Sequence, residues 1–279
     1  MKIAVINDLS GMGRCSLVAS ISMLGVMGHQ VFPVPTAILS NQTGYPKFSF
    51  VDFTGYMDEY ISNWQDMGVV FDVIYSGFLS NESQVQKIKD MHANMGHKNT
   101  LFVVDPVMGD GGQKYATFDD NLCKQVTNLA RVADVVTPNV TEACMLTNTD
   151  YNNFVLSLTD DNLQNRFLSL AKKVSALGPQ KVVITGCERQ NKVCNFVYDN
   201  GSFGYTQNEM YGGHYSGTGD IMASIIAGEL ASGKDLFFAT KTAADFVAVA
   251  VKDAFETGVD KNDGVNFEKF LHLLAEKQK

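Results

Sequence analysis

Short, uninterrupted apolar runs recur along the first two thirds of the chain, and longer stretches with helical periodicity separate them. Such runs are typical of strands buried on both faces of a parallel sheet, because half-exposed strands alternate apolar and polar residues. The predicted strands are Ile3–Ile6, Val31–Val34, Val73–Ser76, Leu101–Asp105, Val135–Thr137 and Val182–Thr185. The predicted helices are Ser16–Met27, Asp52–Met67, Glu82–Met95, Asp119–Ala130 and Leu163–Ala176. This alternation predicts a doubly wound, mostly parallel α/β sheet with helices on both faces.

The last third of the chain has a different pattern. Val193–Tyr198 and Phe203–Thr206 flank Asn200-Gly201, a pair that favours the positive φ angles of a tight turn, so they are predicted to form a hairpin. Helices are predicted after it at residues 218–231, 235–256 and 266–277. No linker-like or repetitive segment interrupts residues 1–279, so the sequence predicts a single domain.

Charge and composition narrow the classes of function. Acidic residues number 30 against 22 basic ones, which argues against a nucleic-acid partner because such proteins present a basic surface. The five cysteines have no CxxC spacing and are expected to be free thiols in a reducing compartment. No apolar run reaches the roughly 18 residues of a membrane span, and the first one is too short for a signal-peptide core. The sequence therefore predicts a cytoplasmic protein, without a membrane partner, that acts on a small molecule.

Polar or small residues follow most of the predicted strands. They are Asn7-Asp8, Ser76-Gly77, Asp105, Thr137 and Thr185-Gly186. Ligands of open parallel sheets bind at the carboxyl ends of the strands, so these residues are expected to form one rim. Phe78, directly after Gly77, is the aromatic residue that we expect at that rim.

The sharpest motif is Gly217-Thr218-Gly219-Asp220, at the start of a predicted helix. Glycines there let backbone N–H groups converge, and the helix dipole adds positive potential, which stabilises charge on a transferring phosphoryl group. Asp220 stands where it could accept the proton of an attacking hydroxyl. The alternative is that Gly217 only caps the helix and Asp220 only complements its dipole.

Two acidic motifs come earlier in the chain. In Asp105-Pro106-Val107-Met108-Gly109-Asp110, the carboxylates suit Mg²⁺ bound through water, and the alternative is a turn that caps a strand. In Thr137-Pro138-Asn139-Val140-Thr141-Glu142, Asn139 and Glu142 fit a capping box. The functional interpretation places Glu142 near the metal and the phosphates, and it is compatible with the capping role.

Several other motifs are missing. Gly11-Met12-Gly13 does not continue into a dinucleotide fingerprint, because Ser16 stands where the third glycine belongs. There is no GxxxxGK[ST] loop, which excludes a P-loop kinase. The histidines form no ligand or triad pattern and are expected to be surface or structural residues: His29, His92, His97, His214 and His272.

In their order and spacing, these motifs resemble the pyridoxal kinase branch of the ribokinase-like superfamily, over nearly the whole chain. Leu39-Ser40-Asn41-Gln42-Thr43-Gly44-Tyr45 is similar to that branch's segment near the pyridine ring. The resemblance implies a three-layer sandwich and an ATP-dependent kinase for the 5′-hydroxymethyl group of a B6 vitamer. It also implies Mg²⁺, K⁺ and a homodimer.

Carried over to this sequence, the resemblance assigns roles to individual residues. Asp220 would be the base, and Gly217, Thr218 and Gly219 would form the anion hole. Thr43 would bond to the pyridine substituents, and Phe78 would flank the ring. The residues around the nucleotide and its ions would be Asp105, Asp110, Thr137, Glu142 and Thr185, with Asp105 and Glu142 at the metal.

One position departs from that pattern. Pyridoxal kinases carry serine where Asp8 stands, whereas the opening Asn7-Asp8-Leu9-Ser10-Gly11 resembles hydroxymethylpyrimidine kinases of thiamine synthesis and a set of bacterial pyridoxamine kinases. The pyrimidine kinases in turn end the anion hole with Gly-Thr-Gly-Cys, where this chain has Asp220. A B6 vitamer, with its amine form favoured by Asp8, is therefore the first hypothesis. A pyrimidine substrate is the second, and a catalytically silent ligand-binding relative is the third.

Overall fold

The structure is a computed structural model that describes residues 1–275. The strands are β1 Lys2–Ser10, β2 Gln30–Leu39, β3 Phe50–Asp52, β4 Phe71–Ser76, β5 Gly96–Val104, β6 Gly109–Asp110, β7 Gln113–Lys114, β8 Val135–Val136, β9 Lys181–Arg189, β10 Lys192–Asp199 and β11 Ser202–Glu209. The α-helices are α1 Ser16–Val26, α2 Thr54–Asp66, α3 Ser83–Met95, α4 Asp120–Ala130, α5 Val140–Leu146, α6 Tyr151–Leu156, α7 Leu163–Ser175, α8 Thr218–Ala231, α9 Leu236–Thr257 and α10 His272–Ala275. Lys261–Asp263 and Phe267–Phe270 form 3₁₀ turns.

Within the described residues, the main sheet has nine strands in the order β11-β10-β9-β8-β5-β4-β1-β2-β3. Its middle, from β9 to β2, is parallel. The hairpin β10–β11 and the short strand β3 add antiparallel edges. The parallel strands are the ones that the apolar runs predict, so the doubly wound, mostly parallel fold is confirmed.

The core has two apolar layers, one on each face of the sheet. Along β1, Ile3 and Val5 pack into the layer under α1, α8 and α9, whereas Ala4 and Ile6 pack into the layer under α2, α3 and α7. All four side chains are fully buried. Because successive side chains of a strand point to opposite faces, burial on both faces makes every residue of the run apolar.

Some sequence predictions need correction. The helix predicted at 266–277 is only the turn Phe267–Phe270 followed by α10, and residues 276 and 277 lie outside the described part. Val265 and Phe267 are both fully buried at a spacing of two, which a continuous helix would place on different faces. The helix predicted from Asp52 begins at Thr54, because Asp52 lies in β3 and its carboxylate accepts the N–H of Thr54.

The predicted hairpin is confirmed. Asn200 and Gly201 have φ angles of 48° and 97°, which is the positive-φ pair that a tight turn between β10 and β11 requires. In the described part of the chain, no helix is both long and apolar enough to cross a membrane.

Candidate active site

One cavity of about 880 Å³ lies at the carboxyl edge of the parallel strands. It is lined by every residue to which the resemblance assigns a role: Asp8, Thr43, Phe78, Asp105, Asp110, Thr137, Glu142, Thr185, Gly217, Thr218, Gly219 and Asp220. Of the predicted strand-end rim, Asn7, Ser76 and Gly77 are not among the lining residues. Residues from both halves of the chain therefore meet in one place, as the strand-end pattern predicts.

Two of the predicted strand ends are irregular points within longer strands. The pairing of β1 with β2 shifts register between Asn7 and Leu9, and β1 continues to Ser10. The pairing of β9 with β10 shifts register before Phe196, and β9 continues to Arg189, past Thr185. Such bulges redirect side chains, so they aim polar groups into the cavity at Asp8 and Thr185.

The start of α8 brings backbone close to backbone. Gly217 has φ of +82°, and a Cβ atom there would lie 2.1 Å from the carbonyl oxygen of Arg14, so only glycine fits. Gly219 differs, because a Cβ atom there would meet no heavy atom within 4 Å apart from its chain neighbours and the backbone of its own helix. The fold thus requires glycine at 217, whereas at 219 a side chain would enter open space at the cavity.

Two hydrogen bonds hold the Asp220 carboxylate. Its Oδ1 accepts from Nδ2 of Asn7 (2.8 Å), and its Oδ2 accepts from the backbone N–H of Ser16 (2.8 Å). Ser16 has φ of +51°, a strained value for a residue other than glycine, and this conformation accompanies the bond to Asp220. Burial, helped by the nearby charge of Asp8, raises the pKa of Asp220 to about 6. A carboxylate with that pKa is mostly ionised at neutral pH and suits a general base.

Asp8, Thr43 and Phe78 line the cavity in different environments. Asp8 is buried and accepts a hydrogen bond from the Ser10 hydroxyl (2.8 Å), and burial raises its pKa. The ring of Phe78 is half-buried and packs edge-on against Phe118, with 5.7 Å between centroids. Thr43 is exposed on the loop between β2 and β3.

The two acidic motifs also line the cavity. Asp105 is buried, and its Oδ1 accepts from the Thr137 hydroxyl (2.9 Å). Burial, with the charge of Asp220 as a second cause, raises the pKa of Asp105 to about 7. Burial and the charge of Asp105 also hold the pKa of Glu142 well above its usual range.

Glu142 has the capping role that the sequence predicts, and a second one. Its Oε2 accepts the N–H of Asn139 (2.8 Å), and the side chain of Asn139 accepts the N–H of Glu142 (2.9 Å), which completes the capping box. Its Oε1 accepts the N–H of Met108 (3.1 Å), in the Asp105–Asp110 motif. Glu142 therefore joins the two acidic motifs while it caps α5.

Comparison with known proteins identifies the family. Residues 11–266 match the family described as phosphomethylpyrimidine kinase. The chain belongs to this family. Among curated relatives, the pyridoxine kinase of Bacillus subtilis is 27% identical over 252 residues, which cover 89% of this chain and 82% of the relative.

Solved structures agree with the family assignment. A phosphomethylpyrimidine kinase homologue from Bacteroides thetaiotaomicron, crystallised with pyridoxal, is 38% identical with a TM-score of 0.90, over 98% of this chain and 95% of the homologue. The pyridoxal kinase of Lactobacillus plantarum is 28% identical with a TM-score of 0.87, over 99% and 97% of the two chains. The ribokinase-like fold implied by the sequence motifs is thereby confirmed.

The donor set of the site suits a metal that arrives with a nucleotide. Among residues 1–275, no group of three or more His, Cys, Asp or Glu side chains could hold a metal ion. Kinases need no group of three protein ligands, since their Mg²⁺ keeps several waters and is bound by one or two carboxylates plus the substrate phosphates. Asp105 and Glu142 are close enough for their charges to interact, and both line the cavity.

Sequence reasoning missed two features of the site. The sequence shows Asn7 only as part of a polar strand end, yet its amide both donates to Asp220 and accepts the N–H of Phe78 (3.0 Å). His214 is exposed, as predicted, but it also lines the cavity, with Nε2 3.3 Å from Glu188 Oε1 and Nδ1 3.9 Å from Asp110 Oδ2. The sequence signal for His214 is its position six residues before Asp220.

Proposed function

We propose that the chain is a single-domain, ATP-dependent kinase that phosphorylates the 5′-hydroxymethyl group of pyridoxal, pyridoxamine and pyridoxine. The observation that carries this proposal is the position of Asp220, held by two hydrogen bonds at the cavity directly after the glycines that begin α8. Pyridoxal in the 38% identical Bacteroides homologue supports the choice of substrate.

The proposed reaction needs a base and a site for negative charge. Ionised Asp220 accepts the proton of the substrate hydroxyl. At the same time the hydroxyl oxygen forms a bond to the γ-phosphorus of ATP, and the bond between that phosphorus and the β–γ bridging oxygen breaks. The N–H groups at the start of α8, with the helix dipole, stabilise the charge on the transferring group. The left-handed conformation of Gly217 sets the direction of these N–H groups.

Asp8 is the residue that we propose to distinguish the vitamers. It lies buried in the cavity near Asp220, and the Ser10 hydroxyl already orients one of its oxygens. An ammonium group beside Asp8 would favour the ionised form of the carboxylate and donate a charge-assisted hydrogen bond to it. Pyridoxamine carries such a group and pyridoxal does not, so we expect the amine to be preferred.

The remaining parts of the proposal come from the resemblance. Mg²⁺ on ATP would neutralise charge that develops on the phosphates, with Asp105 and Glu142 facing it through water. Asp110, Thr137 and Thr185 would bind the nucleotide and its ions, K⁺ among them. We also propose that the protein is cytoplasmic and forms a homodimer. Sedimentation of the purified protein tests the homodimer.

A hydroxymethylpyrimidine kinase is the second candidate, because the family takes its description from a pyrimidine substrate. The amino group on that ring could bond to Asp8 as an ammonium does. Asp220 favours the first candidate, since the pyrimidine kinases that the opening resembles carry cysteine at that position.

The test is a coupled assay of ADP release with each B6 vitamer and with hydroxymethylpyrimidine. We expect all three vitamers to be phosphorylated, pyridoxamine with the highest kcat/KM, and little activity on the pyrimidine. A kcat/KM for hydroxymethylpyrimidine at least about tenfold above that for any vitamer would assign the protein to the second candidate. Activity on neither class would favour a ligand-binding relative.

A further inference from the structure

The charge of the cavity is one-sided. Its acidic lining residues are Asp8, Asp105, Asp110, Glu142, Glu188 and Asp220. Among the described residues, its basic lining residues are His214 and Lys261. A triphosphate is itself strongly anionic, so a cationic side chain at the cavity would favour its binding in addition to the backbone N–H groups and the metal.

The two basic residues are in different situations. His214 lies between carboxylates, 3.3 Å from Glu188 and 3.9 Å from Asp110. Lys261 has no carboxylate within 4.0 Å of its ammonium group in the part of the chain that the structure describes. Among the described residues that line the cavity, Lys261 is therefore the basic residue without a carboxylate partner within 4.0 Å.

The position of Lys261 relates it to the start of α8. Its carbonyl oxygen accepts the N–H of Ser216 (2.9 Å), the residue directly before Gly217. Its Nζ lies 3.4 Å from the position that a Cβ atom would occupy at Gly213. The ammonium group thus lies over the glycine loop that leads into the anion hole.

The turn that carries Lys261 is anchored on both sides of the site. The N–H of Arg14 donates to the carbonyl of Asp263 (3.1 Å), and Nε2 of Gln42 donates to the carbonyl of Asn262 (3.2 Å). The hydroxyl of Tyr45 donates to the carboxylate of Asp263. The backbone of Lys261 is therefore held in place, while its side chain is exposed and can extend along the cavity.

We infer that Lys261 binds the phosphates of ATP and is a nucleotide-positioning residue that the sequence motifs did not identify. The inference rests on the proposed function, because it takes the cavity to be the ATP site. An ammonium group acts on phosphate as a point charge with three donors, which matches a flexible side chain over an open glycine loop.

The experiment is calorimetric titration of wild type and Lys261→Met with ATP, ADP and adenosine, without any vitamer. Loss of a charge-assisted bond should weaken ATP and ADP binding about tenfold or more and leave adenosine binding unchanged. Lys261→Arg, which keeps the charge, should recover part of the loss. Lys241→Met is the matched control, since Lys241 pairs with Asp245 on α9 and does not line the cavity.

Two results would overturn the inference. One is unchanged ATP affinity in Lys261→Met, and the other is an equal loss for adenosine, which would mean that the residue only maintains the turn. If Lys261→Met does not fold, Lys261→Gln is titrated in the same way and judged by the same two results. Wild type that binds ATP but phosphorylates no vitamer would refute the proposed function and leave this inference standing.

Discussion

The hydrogen bond from Asn7 to Asp220 allows a direct test of the proposed base. Asn7→Asp keeps the shape of the side chain and its acceptor toward the N–H groups of Asp8 and Phe78, but it replaces the donor to Asp220 with a carboxylate oxygen. Loss of a donor and a new like charge both disfavour ionised Asp220. The substitution should therefore raise the pKa of the base.

The size of the effect follows from the strength of the bond. A hydrogen bond to a charged group contributes about 1.5–3 kcal/mol, and one pKa unit corresponds to about 1.4 kcal/mol. The pKa of Asp220, raised to about 6 by burial in wild type, should therefore increase by roughly one to two units. At pH 7 the ionised fraction should fall by about two- to tenfold, and it should recover near pH 9.

The assay is the pH profile of kcat/KM for pyridoxine, which carries neither an amine nor an aldehyde. We expect the acidic limb of the profile to move upward in Asn7→Asp while the plateau at high pH is kept. Asn208→Asp is the matched control, because Asn208 also donates to a carboxylate, that of Asp245 (3.1 Å), outside the cavity. An unmoved limb, or a loss of activity that persists at pH 9, would refute the assignment of Asp220 as the base.

Three further predictions follow from the same geometry. Asp220→Asn should lower turnover by roughly 10²–10⁴-fold and yet raise the melting temperature at pH 8. Burial raises the folded-state pKa of Asp220 from 3.8 to about 6, so the ionised carboxylate lowers the free energy of unfolding by up to about 3 kcal/mol before screening by cavity water. That gain should vanish below about pH 4, where the carboxyl is protonated in both states, and melting scans check it. Gly217→Ala should destabilise the fold by about 2 kcal/mol or more in denaturant titrations, whereas Gly219→Ala should keep the stability and lose turnover. Equal effects of the two substitutions would contradict a structural role for Gly217 and a catalytic role for Gly219. Asp8→Ser should shift the ratio of kcat/KM for pyridoxamine and pyridoxal about tenfold toward pyridoxal, and an unchanged ratio would remove Asp8 from substrate selection.

The parallel core could be predicted from the sequence because its cause is local. The part of a strand that helices cover on both faces is apolar at every position, so each of the six parallel strands contains a continuous apolar run. The helices α5 and α6 are not among the predicted helices, because they have seven and six residues and show less than two turns of periodicity. The segment at 266–277 has the composition of a helix, but burial of Val265 and Phe267 ends the regular pattern.

The candidate site was predictable only as far as its residues form motifs. Glycines before an acidic residue and acidic residues after strands are visible in the sequence, and the structure places all of them at one cavity. The partners of Asp220 are not visible, because Asn7 and Ser16 are 213 and 204 residues away in the chain. Lys261 could not be found either, since its relevance depends on a turn that only tertiary contacts bring against Ser216.

Several carboxylates are buried in one cavity, so its electrostatics should respond to the charge of the proposed ligands. Burial raises the pKa of Asp105 to about 7 and that of Asp220 to about 6. The charge of Asp220 makes Asp105 harder to ionise, and the charge of Asp8 has the same effect on Asp220. A protein without cationic ligands must therefore either keep protons on these groups or accept repulsion between them. A metal ion carried by ATP and a cationic substrate would both relieve that repulsion. The same groups that repel one another without these ligands would then favour the proposed ternary complex, in which Asp220, as the proposed base, would be ionised.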